Sequence, residues 1–166
     1  MLIKTMVGSY SPEDAEKILL NCDSSVNIVQ TEEVYYPYLL LCYDLEVGKK
    51  RLSKLNKKAN CIVDLVQGRP AEGRGTPAYR EIEVDGSAAL STEVSREKAL
   101  VIGHDFVFKL YLNKAKLLHT PSIRVTDEEY FYKKFFIVHC KDMDEEDYFI
   151  MVDSMDGAIS VLDHKG

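Results

Sequence analysis

The sequence lacks the motifs that would place it in several large classes of enzyme. Its 166 residues contain no G-x-S-x-G, H-E-x-x-H or C-x-x-C motif, so nothing in it indicates a serine hydrolase, a zinc protease or a thiol–disulfide enzyme. No stretch approaches the ~20 apolar residues that a membrane-spanning helix needs. We therefore predict a protein that is not an enzyme, needs no cofactor and does not enter a membrane.

Cysteine is sparse and scattered. The four cysteines, Cys22, Cys42, Cys61 and Cys140, form no closely spaced pair, and the last three lie in apolar runs. Such cysteines are typical of buried free thiols rather than of disulfides or metal ligands. The first ten residues hold one lysine and no sustained apolar stretch. We therefore expect no signal peptide and a reducing, cytoplasmic location.

The composition is that of an ordinary globular protein with an acidic balance. Apolar residues make up 46% of the chain, and a chain of this length buries roughly 70% of its extended surface on folding. It therefore needs no disulfide to be stable. The formal net charge of −6 argues against nucleic acid as a partner, because neutralising phosphates requires a basic surface.

Capping signals and apolar spacing predict two helices and several strands. Ser-Pro-Glu-Asp at 11–14 combines an N-cap, a first-turn proline and two acidic residues, which predicts a helix as far as residue 22. A second helix is predicted from Thr92 to about residue 118, with a kink or break at Gly103. The predicted extended segments are 26–29, 33–43, 61–66, 79–84 and 158–162. The glycine-rich segment 68–75 is predicted to be a loop.

Two parts of the chain repeat each other. When the sequence is shifted by 96 residues, 29–36 aligns with 125–132 without a gap, and Leu39 then aligns with Phe135. Further on, 61–68 aligns with 150–157. A fixed order of similar segments is the signature of an internal repeat.

Both copies end in the motif Val-Asp-x-x-x-Gly. Asp64 and Asp153, at the ends of apolar strands, are expected to accept hydrogen bonds from the amides of the following turn. Gly68 and Gly157 are expected to adopt positive φ and to return the chain as a strand. In the first copy Pro70 would confine that returning strand to a sheet edge or abort it.

The duplication predicts an α+β fold. We expect two tandem repeats, each a helix plus an antiparallel sheet, packed into one compact unit. Residues 1–75 form the first repeat, 76–91 a linker with an extra strand, and 92–166 the second repeat.

This pattern resembles the PepSY-type repeat, whose units have a cystatin-like helix-on-sheet shape. The residues that carry the resemblance are Val63, Asp64 and Gly68, then Val152, Asp153 and Gly157, and the strand openings Tyr35-Tyr36-Pro37-Tyr38 and Phe131-Tyr132. It spans most of 11–71 and 92–163. It implies a non-catalytic module that binds or restrains other proteins, sometimes peptidases.

Three groups of residues are candidates for binding. Tyrosines suit protein interfaces because they combine a rigid apolar ring with a polar tip. A dense basic segment at 49–58 suits an anionic partner or a solvated hairpin loop, and two arginines of the 68–75 loop suit an anion or a plain linker. The candidate residues are Tyr35, Tyr36, Tyr38, Lys49, Lys50, Arg51, Lys54, Arg69 and Arg74.

An acidic run is the most metal-like stretch of the sequence. Asp142, Asp144 and Glu146 fall at positions 1, 3 and 5 of a calcium-loop pattern, but position 6 is Asp147, where such a loop needs glycine. A solvated acidic hairpin tip explains the run as well. We predict no metal site.

We predict a binding or regulatory module whose partner is another protein or a second copy of the chain, as a homodimer. One alternative is a small-molecule or peptide binder, or an enzyme, with its site between the two repeats. The other is binding of an anionic partner through 49–58.

Overall fold

The computed structural model describes residues 1–47, 55–73, 78–115 and 122–162. The eight strands within these ranges are β1 (Leu2–Met6), β2 (Asn27–Val47), β3 (Leu55–Asp64), β4 (Pro70–Glu72), β5 (Tyr79–Glu83), β6 (Ser122–Lys141), β7 (Asp147–Asp153) and β8 (Ile159–Leu162). The helices are α1 (Pro12–Cys22), α2 (Arg96–Ala115) and a 3₁₀ turn (Gly86–Ala88).

Ladders of backbone hydrogen bonds link these eight strands into a mixed sheet. Its main order is β4-β3-β2-β6-β1-β5, while β7 pairs with β6 and β8 pairs with β7. The ladder between β1 and β6 is parallel, at Thr5 and Tyr132. In the described chain, β4, β5 and β8 therefore lie at edges of the sheet.

The chain divides into two compact units, and each draws on both halves of the sequence. Unit 1 consists of Met1–Tyr36, Ala78–Leu90 and Tyr132–Gly166. Unit 2 consists of Pro37–Pro77 and Ser91–Phe131. The long strands β2 and β6 each contribute one part to unit 1 and the other part to unit 2.

The core of unit 1 lies under α1. The Ser11 side chain accepts a hydrogen bond from the Asp14 backbone, and the Asp14 carboxylate accepts one from the Ser11 backbone, at 3.2 and 2.9 Å. This capping box fixes the predicted start of the helix. Ala15 and Leu19 then face the sheet. They pack against five buried side chains of β6 and β7, namely Phe136, Val138, Cys140, Ile150 and Val152.

The core of unit 2 lies under α2. The Ser95 side chain accepts a hydrogen bond from the Lys98 backbone at 3.2 Å, so the helix begins after Ser95 rather than after Thr92. Ala99 and Val107 are buried against the sheet. Their partners on β2 and β3 are Leu39, Leu41, Tyr43, Leu45, Cys61 and Val63.

The predicted fold class is therefore wrong. The strands do not form two tandem helix-plus-antiparallel-sheet repeats but one eight-stranded mixed sheet, and each helix packs on strands of the other copy. The reason is the length of β2, which merges the predicted segments 26–29 and 33–43 into 21 residues. A strand of that length spans about 70 Å, whereas the 11 residues of α1 span about 16 Å. The helix can cover only part of the strand that follows it.

A proline inside β2 marks the place where this long strand passes from unit 1 to unit 2. The Pro37 carbonyl accepts a hydrogen bond from the Leu65 backbone at 3.1 Å, but proline has no N–H to return the second bond of an antiparallel pair. The Leu65 carbonyl instead accepts hydrogen bonds from the backbones of Glu93 and Val94, at 2.8 and 2.9 Å. These residues lead into α2, so the Leu65 carbonyl holds the start of that helix.

Unit 1 contains the same arrangement. The Ser154 backbone donates to the Lys134 carbonyl at 3.3 Å, and the Ser154 carbonyl accepts from Ser9 and Tyr10 at 2.9 and 3.0 Å. Ser9 and Tyr10 lead into α1. In both units, the residues before a helix are therefore held by the turn that follows a strand of the other copy.

The predicted chemistry of the two turns is confirmed. Asp64 Oδ1 accepts hydrogen bonds from the Val66 and Gln67 backbones at 2.7 and 3.0 Å. Asp153 Oδ1 accepts one from the Met155 backbone at 2.8 Å. Gly68 and Gly157 have φ of +75° and +73°. Both returning strands follow, as β4 and β8, and Pro70 lies on the edge strand as expected.

The alignment of the two copies needs a correction of one residue in the strands. Leu39 pairs with Val63, and Phe136 pairs with Val152. Because Val63 and Val152 are equivalent in the two turns, Leu39 corresponds to Phe136 rather than to Phe135. Strand β1 was not predicted from the sequence.

Gly103 lies inside α2, which continues through it without the predicted break. A Cβ atom at this position would lie 2.5 Å from the Tyr43 hydroxyl and 2.6 Å from a Leu41 methyl group. Glycine is therefore needed where the helix approaches β2 closely. The Tyr43 hydroxyl is buried without a hydrogen-bond partner among the described residues, and burial raises the pKa of Tyr43 well above its usual value.

We expect Gly103→Ala to lower the free energy of unfolding by about 1–3 kcal/mol, because overpacking outweighs the better helix propensity of alanine. Tyr43→Phe should be neutral or stabilising, because it removes a buried hydroxyl that has no partner. In combination with Gly103→Ala, it should also restore part of the free energy of unfolding that Gly103→Ala removes. Urea denaturation of the two single variants and the double variant measures this coupling. A Gly103→Ala protein as stable as the wild type would contradict the close approach.

Candidate functional site

Helix α2 carries apolar side chains on its exposed side as well as on its buried side. Ala99 and Val107 face the core of unit 2, as a surface helix requires. A helix of this kind normally presents polar residues on its opposite side. In α2, that side carries Val101, which is 70% exposed, and Phe108, which is half-buried.

Five residues define what we call the α2 outer face: Leu100, Val101, His104, Phe108 and Val125. Together with Asp105 they line an open cleft of about 610 Å³. Val125 comes from β6, so the cleft is formed by the helix and the neighbouring strand of the same unit. A cleft of this size and apolar lining is typical of binding sites.

The rings of His104 and Phe108 stack on the outer face. Their centroids lie 6.5 Å apart and their planes are 10° from parallel. The two residues are four positions apart, which places them one above the other on a helix. The stack gives the exposed side of α2 a flat aromatic surface next to Val101.

Ion pairs lie close to the outer face. Lys109 Nζ lies 2.9 Å from Asp105 Oδ2, one helical turn away. At the start of α2, Arg96 donates two hydrogen bonds to Glu128, at 2.7 and 2.6 Å. These hydrogen bonds raise the pKa of Arg96. The apolar face therefore has charged neighbours that pair with each other.

The three tyrosines proposed from the sequence lie within the packed structure. Tyr35 is 5% exposed, and burial, reinforced by Glu33, raises its pKa. Tyr36 packs edge-on against Phe135 with centroids 6.0 Å apart. Tyr38 stacks on Phe131 at 5.5 Å.

Most of the predicted basic site lies outside the described residues. This is true of Lys49, Lys50, Arg51, Lys54 and Arg74. Arg69 is described, and it is exposed on the turn between β3 and β4.

Lys57 and Lys58, the lysines of the basic segment that the structure describes, border a second cleft in unit 2. This cleft has a volume of about 520 Å³ and is lined by Asp44, Leu45, Glu46, Lys57, Lys58, Ser122 and Arg124. Its charges are mixed, and Arg124 lies 3.5 Å from Asp44. Three cationic side chains therefore meet two carboxylates there.

The acidic run forms the turn between β6 and β7. Asp142 Oδ1 accepts hydrogen bonds from the backbones of Asp144 and Glu146, both at 2.9 Å, and Glu145 has a φ of +59°. These bonds shape the tip of the hairpin. Within the described ranges, no three His, Cys, Asp or Glu side chains gather in a way that could hold a metal ion.

The four thiols are free. Cys61 and Cys140 are buried, as predicted, whereas Cys42 is half-buried and Cys22 is exposed. Burial raises the pKa of the Cys61 thiol to about 11 and also raises that of Cys140. A thiol with a raised pKa holds little nucleophilic thiolate at neutral pH.

His139 and the adjacent Cys140 point to opposite faces of β6, as the alternation of a strand predicts. His139 Nε2 lies 2.8 Å from Asp147 Oδ1, and the His139 ring stacks on Phe149 at 4.8 Å. The two neighbours therefore do not form a nucleophile–base pair with each other.

The α2 outer face was not predicted from the sequence. The apolar stripe of Ala99, Ile102 and Phe106, which packs against the core, already accounts for an amphipathic helix. A second set at helical spacing, Val101, His104 and Phe108, is visible in the same segment and was the available signal.

Comparison with known proteins gives no family: no protein-family model, no curated protein and no solved structure matches the chain. Neither of the two α-helices in the described residues combines the length and the apolar content needed to cross a lipid bilayer.

Proposed function

We propose that this protein is a non-enzymatic binding module and that its α2 outer face receives an amphipathic helix of a partner protein. The observation that carries the proposal is Val101, exposed at 70% beside the stacked pair of His104 and Phe108. Contiguous apolar surface of this kind is typical of interaction sites.

The spacing of the outer face suits a helix. Leu100, His104 and Phe108 follow one another at intervals of four residues, and such rows form the ridges and grooves by which helices pack. The open cleft beside them is bounded by Val125 of β6, so a second helix would have α2 on one side and the sheet on the other. The partner would present apolar residues at i, i+3, i+4 and i+7.

The charges around the cleft also suit a protein partner. Asp105 and Lys109 already pair with each other, and an exposed pair of this kind contributes little to affinity. Burial of apolar side chains would therefore provide most of the binding energy. Completely burying a valine side chain contributes about 1.5–3 kcal/mol.

We expect Val101→Glu to lower the affinity for the partner at least tenfold, because it places a charge in the apolar contact. The partner is first captured from extract of the native cells on immobilised protein and identified by mass spectrometry. Its dissociation constant is then measured with purified components by calorimetry.

Val29→Glu is the matched control. Val29 is also an exposed valine, at 50%, and it belongs to unit 1. Its substitution should leave the affinity unchanged. A partner that binds the wild type and both variants equally would contradict docking on the α2 outer face.

A second candidate is the binding of an anionic peptide in the cleft at Lys57, Lys58 and Arg124. These three cations line one cavity, and the basic sequence 49–54 precedes them. Asp44 and Glu46 in the same cleft oppose an anion, which is why we place this function second.

We expect the second function, if present, to depend on salt. The affinity for a hexaglutamate peptide should fall at least threefold when the salt rises from about 50 to about 300 mM, because screening weakens exposed charge pairs. Lys57→Glu should weaken binding, whereas Lys98→Glu, which makes the same charge change on α2, should not. Binding that does not change with salt in a fluorescence titration would exclude the anionic site.

A protein-binding role is also what the resemblance to PepSY-type repeats implies. That resemblance stays a prediction, as does the cytoplasmic location.

A further inference from the structure

The three edge strands in the described part of the sheet differ in how they oppose further pairing. Natural edge strands are commonly protected by proline or by charged side chains. β4 reads Pro-Ala-Glu, and β5 reads Tyr-Arg-Glu-Ile-Glu. β8 reads Ile-Ser-Val-Leu and carries neither proline nor a charge.

The hydrogen-bond pattern of β8 shows which of its backbone groups point outward. The Asp153 backbone donates to the Ala158 carbonyl at 2.9 Å, just before the strand begins. Because bonded and non-bonded pairs alternate along an antiparallel ladder, Ser160 and Leu162 bond to β7. The N–H and C=O groups of Ile159 and Val161 therefore point away from β7.

The side chains of the same two residues are exposed and apolar. Ile159 lies opposite Val152, and Val161 lies opposite Ile150. Val152 and Ile150 belong to the core beneath α1, so Ile159 and Val161 lie on that face of the sheet. They remain 38% and 67% exposed, which shows that the apolar face extends past the part that α1 covers.

The equivalent edge in the other copy is closed. In β4, Pro70 lies opposite Val63 and Glu72 lies opposite Cys61, which are the positions of Ile159 and Val161 in β8. Pro70 has no N–H at the place where the Ile159 N–H points outward. Within the described residues, the equivalent edges of the two copies therefore differ, and only the edge at β8 keeps all of its outward N–H groups without a proline or a charged side chain.

We propose that β8 is a self-association strand that pairs antiparallel with β8 of a second copy, around a two-fold axis at Ser160. The order Ile-Ser-Val is apolar, polar, apolar in both directions, so Ile159 of each copy meets Val161 of the other. Both residues have outward backbone groups, and the two pairs form four hydrogen bonds. All four exposed apolar side chains then lie together on one face.

The small contact area predicts a weak dimer. Four hydrogen bonds and four small side chains bury much less than the ~1,200 Å² of a standard stable interface. We expect a reversible dimer with a dissociation constant on the order of 10–100 µM.

Sedimentation equilibrium of the full chain from about 1 to 500 µM tests the proposal. Ile159→Pro and Val161→Glu are made as separate variants. Each places in β8 the residue found at the equivalent position of β4, and each should raise the dissociation constant of the dimer at least tenfold. Val29→Glu, which places the same charge at an exposed valine of β2, should leave it unchanged. Near-UV circular dichroism establishes that each variant is folded. One folded β8 variant is sufficient for the comparison with the wild type.

Hydrogen exchange of the wild-type protein gives an independent readout that needs no variant. The amides of Ile159 and Val161 should exchange more slowly as the protein concentration rises, whereas those of β5 should not change. A monomer at 500 µM, or a dimer lost with Val29→Glu but kept with both β8 variants, would overturn the proposal. Exchange at Ile159 and Val161 that does not depend on concentration would also overturn it.

Discussion

Two backbone carbonyls position the helices of this structure, because each one binds the residues that lead into a helix of the other copy of the repeat. The Leu65 carbonyl accepts two N–H groups from the residues before α2, and the Ser154 carbonyl accepts two from the residues before α1. Each of these carbonyls belongs to the residue directly after the aspartate of an Asp-x-x-x-Gly turn. When the start of a helix is held at this carbonyl, the apolar side chains of the helix pack on the strands next to it. The composition of both cores follows from this contact.

The surfaces that distinguish the two units arise where the copies differ around this shared contact. α1 has 11 residues and α2 has 20. The longer helix carries a second apolar stripe, which together with Val125 of β6 forms the α2 outer face. Among the described residues, the shorter helix leaves the apolar side chains of β8 exposed, and β8 lacks the proline and the carboxylate of β4. Shared residues maintain the scaffold, and the divergent ones give each unit its own contact surface.

Local features of this fold could be predicted from the sequence, and long-range pairings could not. The capping box at Ser11 and the turns at Asp64 and Asp153 depend on side chains within four residues of each other, so their chemistry is visible in a short motif. The strands on which a helix packs are chosen by contacts between residues far apart in the chain, such as Leu19 with Phe136 and Ala99 with Val63. The sequence suggested the nearest strands and was wrong. The tyrosine candidates show the same limit, because Tyr35 is buried in a strand whose backbone is bonded to Leu90, 55 residues further along the chain.

The most direct test of the exchanged packing is to divide the chain between Leu90 and Ser91 and to study the fragments 1–90 and 91–166. α1 and the strands beneath it fall in different fragments, as do α2 and its strands. Neither fragment alone should show a cooperative urea transition by circular dichroism, and an equimolar mixture should regain one. Cooperative unfolding of each fragment alone, unchanged by mixing, would contradict the account.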